Sequence, residues 1–169
     1  MTQEAPTYKF SFLGDNENAY LFETTIGIIY QVKFTPTPYL FGEGSFYGER
    51  TFELSLLVGH NPTGRPPVFD RKTARTLAAV FSDFYQRSDE TITLYICASD
   101  DGRQLLRQRL FHRWFDYFDR DDYNRVDAAF RDSSGATYPV TLILKQANPY
   151  GPEIAAQFLR VINGYGPEK

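Results

Sequence analysis

Apolar and polar residues alternate through the first third of the chain, and that period of two predicts strands. Tyr8, Phe10 and Phe12 flank Lys9 and Ser11, and Ile28, Tyr30, Val32 and Phe34 interleave with Gln31 and Lys33. Between them, residues 19–24 form a second predicted strand, entered through Gly14-Asp15-Asn16 and left through Thr25-Ile26-Gly27. A fourth, over 50–58, buries Phe52, Leu54, Leu56 and Val58 while exposing Glu53 and Ser55. The period then lengthens to that of a helix. Asp70 caps a segment reaching about residue 87, with Ala74, Leu77, Ala78, Phe81, Phe84 and Tyr85 on one side. Residues 91–98 are apolar on both faces, as in a central strand. A second helix follows Ser99-Asp100-Asp101-Gly102, with Asp101 as cap and Gln104 three residues later, and ends near residue 120. Residues 124–131 and 137–145 read as a hairpin. A last helix starts at Asn148-Pro149 or Gly151-Pro152 and stops at Asn163-Gly164.

The order ββββ-α-β-α-ββ-α predicts one α+β domain over residues 1–169. Its sheet is largely antiparallel, with about three helices packed mainly on one face. Two stretches interrupt the pattern. Residues 35–48 mix Pro and Gly with aromatics, and residues 59–67 are too rich in Pro and Gly for regular structure. The first presents Tyr39, Phe41, Phe46 and Tyr47 as candidate contact residues.

With 17% aromatic residues and 42% hydrophobic residues, the chain has the material for a packed core rather than a disordered polymer. The net charge of −3 argues against a dedicated nucleic-acid binder, although residues 61–115 carry +3 between acidic flanks. Cys97 is the single cysteine, so no intramolecular disulfide exists, and its apolar setting reads as an inert buried thiol. No apolar run is long enough to span a membrane, and Met1-Thr-Gln-Glu-Ala-Pro is no signal peptide. The expected location is the cytoplasm.

The sharpest anomaly is a pair of arginines. Advancing 100° per residue from Arg103 puts Leu106, Leu110, Phe111, Trp114, Tyr117 and Phe118 on one stripe. Arg103 and Arg107 fall inside it. An unpaired charge there would cost several kcal/mol, so both need partners. One reading is a closed cluster with Asp100 and Asp101, or with Asp70 or Glu53 from elsewhere. The other is an open anion site of Ser99, Asp100, Asp101, Arg103 and Arg107, at a strand's carboxyl end and a helix N-terminus. The aspartates already supply negative charge to that terminus, which favours the closed reading.

Other chemistry finds less support. Adjacent aspartates recur at Asp121-Asp122 and read as caps rather than as a metal site, and no cofactor is expected. His60 lies in the Pro/Gly loop, and His112 falls on the outer face of its helix. Asp15 with Gln31-Val32-Lys33 resembles a nuclease signature only faintly, since strand alternation already places Lys33 outward. The outer helix face also carries Arg109 and Arg113. Arginine outnumbers lysine 13 to 5, and arginine binds carboxylates, phosphates and aromatic faces in a planar fork.

The run Tyr95-Ile-Cys-Ala-Ser-Asp-Asp-Gly-Arg-Gln, then Arg107-Gln-Arg-Leu-Phe and Trp114-Phe115, resembles an uncharacterised bacterial family of small single-domain proteins. The hairpin Tyr8…Tyr20-x-Phe22-x-Thr24…Gly27…Tyr30-x-Val32 and Asn148-Pro149 extend the resemblance over most of the chain. That family is a domain of unknown function, so the resemblance implies no reaction, cofactor or catalytic residue. The expectation is a non-enzymatic cytoplasmic protein-binding module, a component of a small operon or mobile element. Its contacts would be the 39–47 loop and the Arg109/Arg113 helix surface. The competing expectation is a phosphate-ester enzyme, RNA included, built on the turn from Asp100 to Arg107.

Overall fold

A computed structural model describes residues 6–67, 69–96, 104–116, 122–131 and 133–164, with the side chains of 104–107 and 164 outside that description. The elements are β1 (Phe10–Gly14), β2 (Ala19–Glu23), β3 (Ile29–Pro36), β4 (Thr51–His60), α1 (Arg71–Tyr85), β5 (Ile92–Ile96), α2 (Gln104–Phe115), β6 (Tyr123–Arg131), β7 (Thr137–Lys145) and α3 (Gly151–Gly164). This is the predicted order. The strands form one sheet in the order β1-β2-β3-β4-β5-β7-β6. Every neighbouring pair is antiparallel except β4 and β5, which run parallel. A parallel pair needs a crossover, and α1 supplies it.

Local chemistry sets the boundaries. Asp70 caps α1 by accepting both the Thr73 amide and the Thr73 hydroxyl at 2.8 Å. At the β1–β2 hairpin, Gly14, Asp15 and Asn18 hold positive φ, and the Asp15 carboxylate accepts the Glu17 amide at 2.8 Å. Asn and Asp tolerate the left-handed region because their side chains bond locally.

The core has two layers. On one face, Tyr20, Phe22, Tyr30, Val32 and Phe34 pack against Leu77, Phe81 and Phe84 of α1 and Phe111, Trp114 and Phe115 of α2. On the other, Ile92, Leu94, Val140, Leu142 and Leu144 pack against Ile154 and Phe158 of α3. Two of the three helices thus share one face, as expected, and α3 covers the opposite side. The reason is the composition of β5 and β7. Every residue from Val140 to Leu144 is buried, so this half of the sheet is apolar both ways and needs two covers.

Buried polar groups are tied into this packing. Tyr85 is fully buried, and its hydroxyl donates to the Ile143 carbonyl at 2.6 Å and lies 2.7 Å from the Thr93 hydroxyl. Burial raises its pKa well above the ordinary tyrosine value. Tyr20 donates to Asp83 at 2.6 Å, and burial, then that carboxylate, push its hydroxyl up to about 12. Between β3 and β5, burial raises the Glu53 carboxyl above its ordinary 4.5.

Two predictions follow from these groups. Tyr85→Phe strands the Thr93 hydroxyl and weakens the satisfaction of the Ile143 carbonyl, and costs about 1–3 kcal/mol in urea unfolding. Glu53 binds its proton more tightly folded than unfolded, so its ionisation penalises the folded state above the raised value. Glu53→Gln therefore stabilises the protein at neutral pH. The gain shrinks as pH falls through the raised value toward 4.5, which thermal melts across pH will show.

Candidate interaction site

Ser99, Asp100, Asp101 and Arg103 lie outside the described residues, as does Cys97; Arg107 belongs to α2, but its side chain also lies outside the description. Of the acids suggested as their partners, Glu53 sits on the sheet face turned away from α2, because its neighbour Phe52 packs on Phe84 of α1. Asp70 is committed to capping α1.

The 35–50 segment is more ordered than its composition suggests. It contains two 3-10 turns, Pro38–Leu40 and Gly48–Arg50. Phe41 and Tyr47 are half-buried against the α3-side core. The Tyr47 hydroxyl donates to Glu153 of α3 at 2.6 Å, and that carboxylate holds its proton to about 12. Phe46 packs edge-on against Tyr150 at 5.0 Å and carries the Arg50 guanidinium 3.7 Å from its ring centre. Arg50 is fixed in turn by Glu90 at 2.7 Å and the Phe46 carbonyl at 2.8 Å. Of the four aromatics, Tyr39 stands most clear of the fold, with 64% of its surface exposed.

Gly48 makes this arrangement possible. A Cβ there would lie 2.4 Å from the Gly42 carbonyl oxygen and 2.7 Å from that of Pro38, both backbone atoms. Gly48→Ala must displace the segment, and we expect a loss of about 1–3 kcal/mol in thermal unfolding. Non-additivity of Gly48→Ala with Tyr47→Phe in a double-mutant cycle will report the detachment from α3.

On the other face, Arg109 and Arg113 are exposed on α2, without an ion-pair partner among the described residues. His112 corrects the expectation of an outward side chain. It is half-buried, and its Nε2 lies 3.2 Å from the Asp127 carboxylate of β6. The same carboxylate accepts the Thr141 hydroxyl at 2.8 Å and forms an ion pair with the Arg125 Nε at 3.1 Å. Arg125 also lies over Phe115, 5.2 Å from the ring centre. Helix phase alone misplaced His112 because β6 rises beside α2. His60, in contrast, is exposed at the end of β4. Lys33 pairs with Glu17, and Asp15 is used in its own turn, which leaves the nuclease-like spacing structurally explained.

Three cavities lie among the described residues. A void of about 20 Å³ lies among Val32, Phe34, Phe81, Phe111 and Trp114. Its volume suits about one water, but its lining offers no polar partner. A polar cleft of about 410 Å³ opens by Ser82, Asp89, Asp122 and Lys145, with Lys145 bound to Asp89 at 2.9 Å. An apolar groove of about 210 Å³ runs across the α3 face at the carboxyl end of β5. Tyr39 and Leu40 form one wall, Val161 and Ile162 the other, and Ile96, Phe130 and Val140 contribute to the floor. No three His, Cys, Asp or Glu side chains converge as a metal cage among the described residues.

The sequence model of the family of unknown function DUF6169 matches residues 69–160, more than half of the chain, and the chain belongs to that family. The match spans α1 through most of α3 and leaves the β1–β4 meander outside it. No curated protein and no solved structure matches the chain significantly.

Proposed function

We propose that this member of the DUF6169 family is a non-enzymatic, cytoplasmic protein-binding module that seats an apolar side chain of its partner in the groove beside Tyr39. The apolar groove carries the reading. At about 210 Å³ it is smaller than the roughly 300–1,000 Å³ of small-molecule sites, yet large enough for one or two side chains. Its walls are almost wholly apolar, which suits an anchor residue rather than a polar substrate. Tyr39 adds a rigid, exposed aromatic at the rim, the residue type enriched at interface hot spots. The occupant is therefore a chain segment presenting a large aliphatic or aromatic side chain. The phosphate-ester alternative rests on Ser99, Asp100, Asp101 and Arg103, outside the described residues.

The test is native mass spectrometry on protein purified from its own host, wild type beside Tyr39→Glu. We expect a partner that binds wild type and loses about thirtyfold in affinity, roughly 2 kcal/mol, in the variant, with an unchanged melting temperature. Undiminished partner binding by Tyr39→Glu overturns the proposal.

A further inference from the structure

The groove and the exposed arginines lie on opposite faces of the sheet, and β6 is the element that borders both. It is the last strand of the sheet, nine residues long, and pairs with β7 in unbroken register from Tyr123 to Arg131. Its outer edge has no backbone partner from Asn124 to Arg131 among the described residues. The opposite edge differs: β1 has five residues and a register shift between Phe12 and Gly14. Short, bulged edges resist pairing with other chains, whereas long regular ones invite it.

The two flanks of this edge differ in chemistry. On the α2 side, the His112–Asp127 and Arg125–Phe115 contacts align α2 antiparallel to β6. Within that layer Arg125 neutralises Asp127. Arg109, Arg113 and Arg131 remain exposed, and although Asp116 lies about one helical turn from Arg113, none of the three has an ion-pair partner among the described residues. On the α3 side, Val126, Ala128 and Phe130 belong to the apolar layer, and Phe130 reaches the groove. The phase of α3 adds an apolar rim. Glu153 turns toward the 35–50 segment through its bond with Tyr47. Leu159 therefore projects from the other flank of the buried stripe Ile154–Phe158–Ile162, toward the β6 edge, and is 41% exposed.

We infer that β6 receives an extended, acidic segment of the partner protein as an eighth strand, with carboxylates toward Arg109, Arg113 and Arg131 and apolar side chains toward Phe130 and Leu159. Side chains alternate across a strand, so one segment satisfies both flanks only if acidic and apolar residues alternate. Backbone pairing supplies affinity, and the two flanks fix orientation and selectivity. This inference rests on the protein-binding reading and names the chemistry of that partner.

The test uses a capped peptide of four Glu-Val repeats and its Lys-Val counterpart, read by fluorescence anisotropy and amide hydrogen exchange. We expect the Glu-Val peptide to bind and to slow exchange of alternate amides within 124–131 at least tenfold. The triple variant Arg109→Glu, Arg113→Glu, Arg131→Glu should weaken it at least tenfold at an unchanged melting temperature, and added salt should do likewise. No binding at millimolar peptide, equal binding of the Lys-Val peptide, or protection elsewhere in the chain overturns the inference. Protection of 124–131 that rises with protein concentration alone assigns the edge to a second copy and also overturns it. A single-stranded oligonucleotide that binds the same arginines more tightly than the peptide, without protecting those amides, makes this a nucleic-acid face instead. Loss of the native partner in Tyr39→Glu without peptide protection of β6 would sink the strand alone and leave the groove standing.

Discussion

The short parallel seam between β4 and β5 joins the two halves of this protein. It consists of the pairs Thr51–Ile92, Phe52–Thr93 and Glu53–Leu94. On one side stands the β1–β4 meander, and on the other the β5–β7–β6 half that lies within the family match. Parallel pairs are slightly weaker per residue, so a seam this short depends on what packs across it. The end of α1 does so. Phe84 stacks on Phe34 of β3 at 4.0 Å and meets Phe52 of β4 at 5.1 Å. The next residue, Tyr85, bonds to Thr93 of β5 and Ile143 of β7. Adjacent side chains on the crossover helix thus grip both sides of the seam.

The arginines divide by what holds them. Arg50 combines a carboxylate, a carbonyl and an aromatic face, and Arg87 lies over Phe12 near Asp83. Arg125 repeats the device with Asp127 and Phe115. A planar guanidinium presents its edge to an anion and its face to a ring at once, which lysine cannot do. These three serve the fold. Arg109, Arg113 and Arg131 have no such anchorage among the described residues and remain exposed on α2 and β6. The high arginine count therefore mixes two roles that composition alone does not separate.

The two layers also separate the surfaces that an interaction would use. The 35–50 segment leans on α3, while Arg109 and Arg113 project from α2 across the sheet. A partner limited to one face reaches only one of them. A strand added to β6 would have side chains on each face, meeting the α2 layer on one side and the Phe130–Leu159 flank on the other.

Element order, the Asp70 cap and the β6–β7 hairpin were all legible in the sequence, because periodicity, capping and turn residues act within a few positions of one another. Residues 91–98 were legible as a central strand apolar on both faces, but which helix would cover each face depended on strand order. That order was decided by tertiary pairing: β7 inserts between β5 and β6, and α3 then returns over the far face. The inward turn of His112 depended on Asp127 of β6, fifteen positions away in the chain, and the groove depended on Tyr39, Ile96, Phe130 and Val161 meeting. No local pattern encodes such meetings. They arise when separate elements bury their apolar faces together, and that burial is what makes distant residues neighbours.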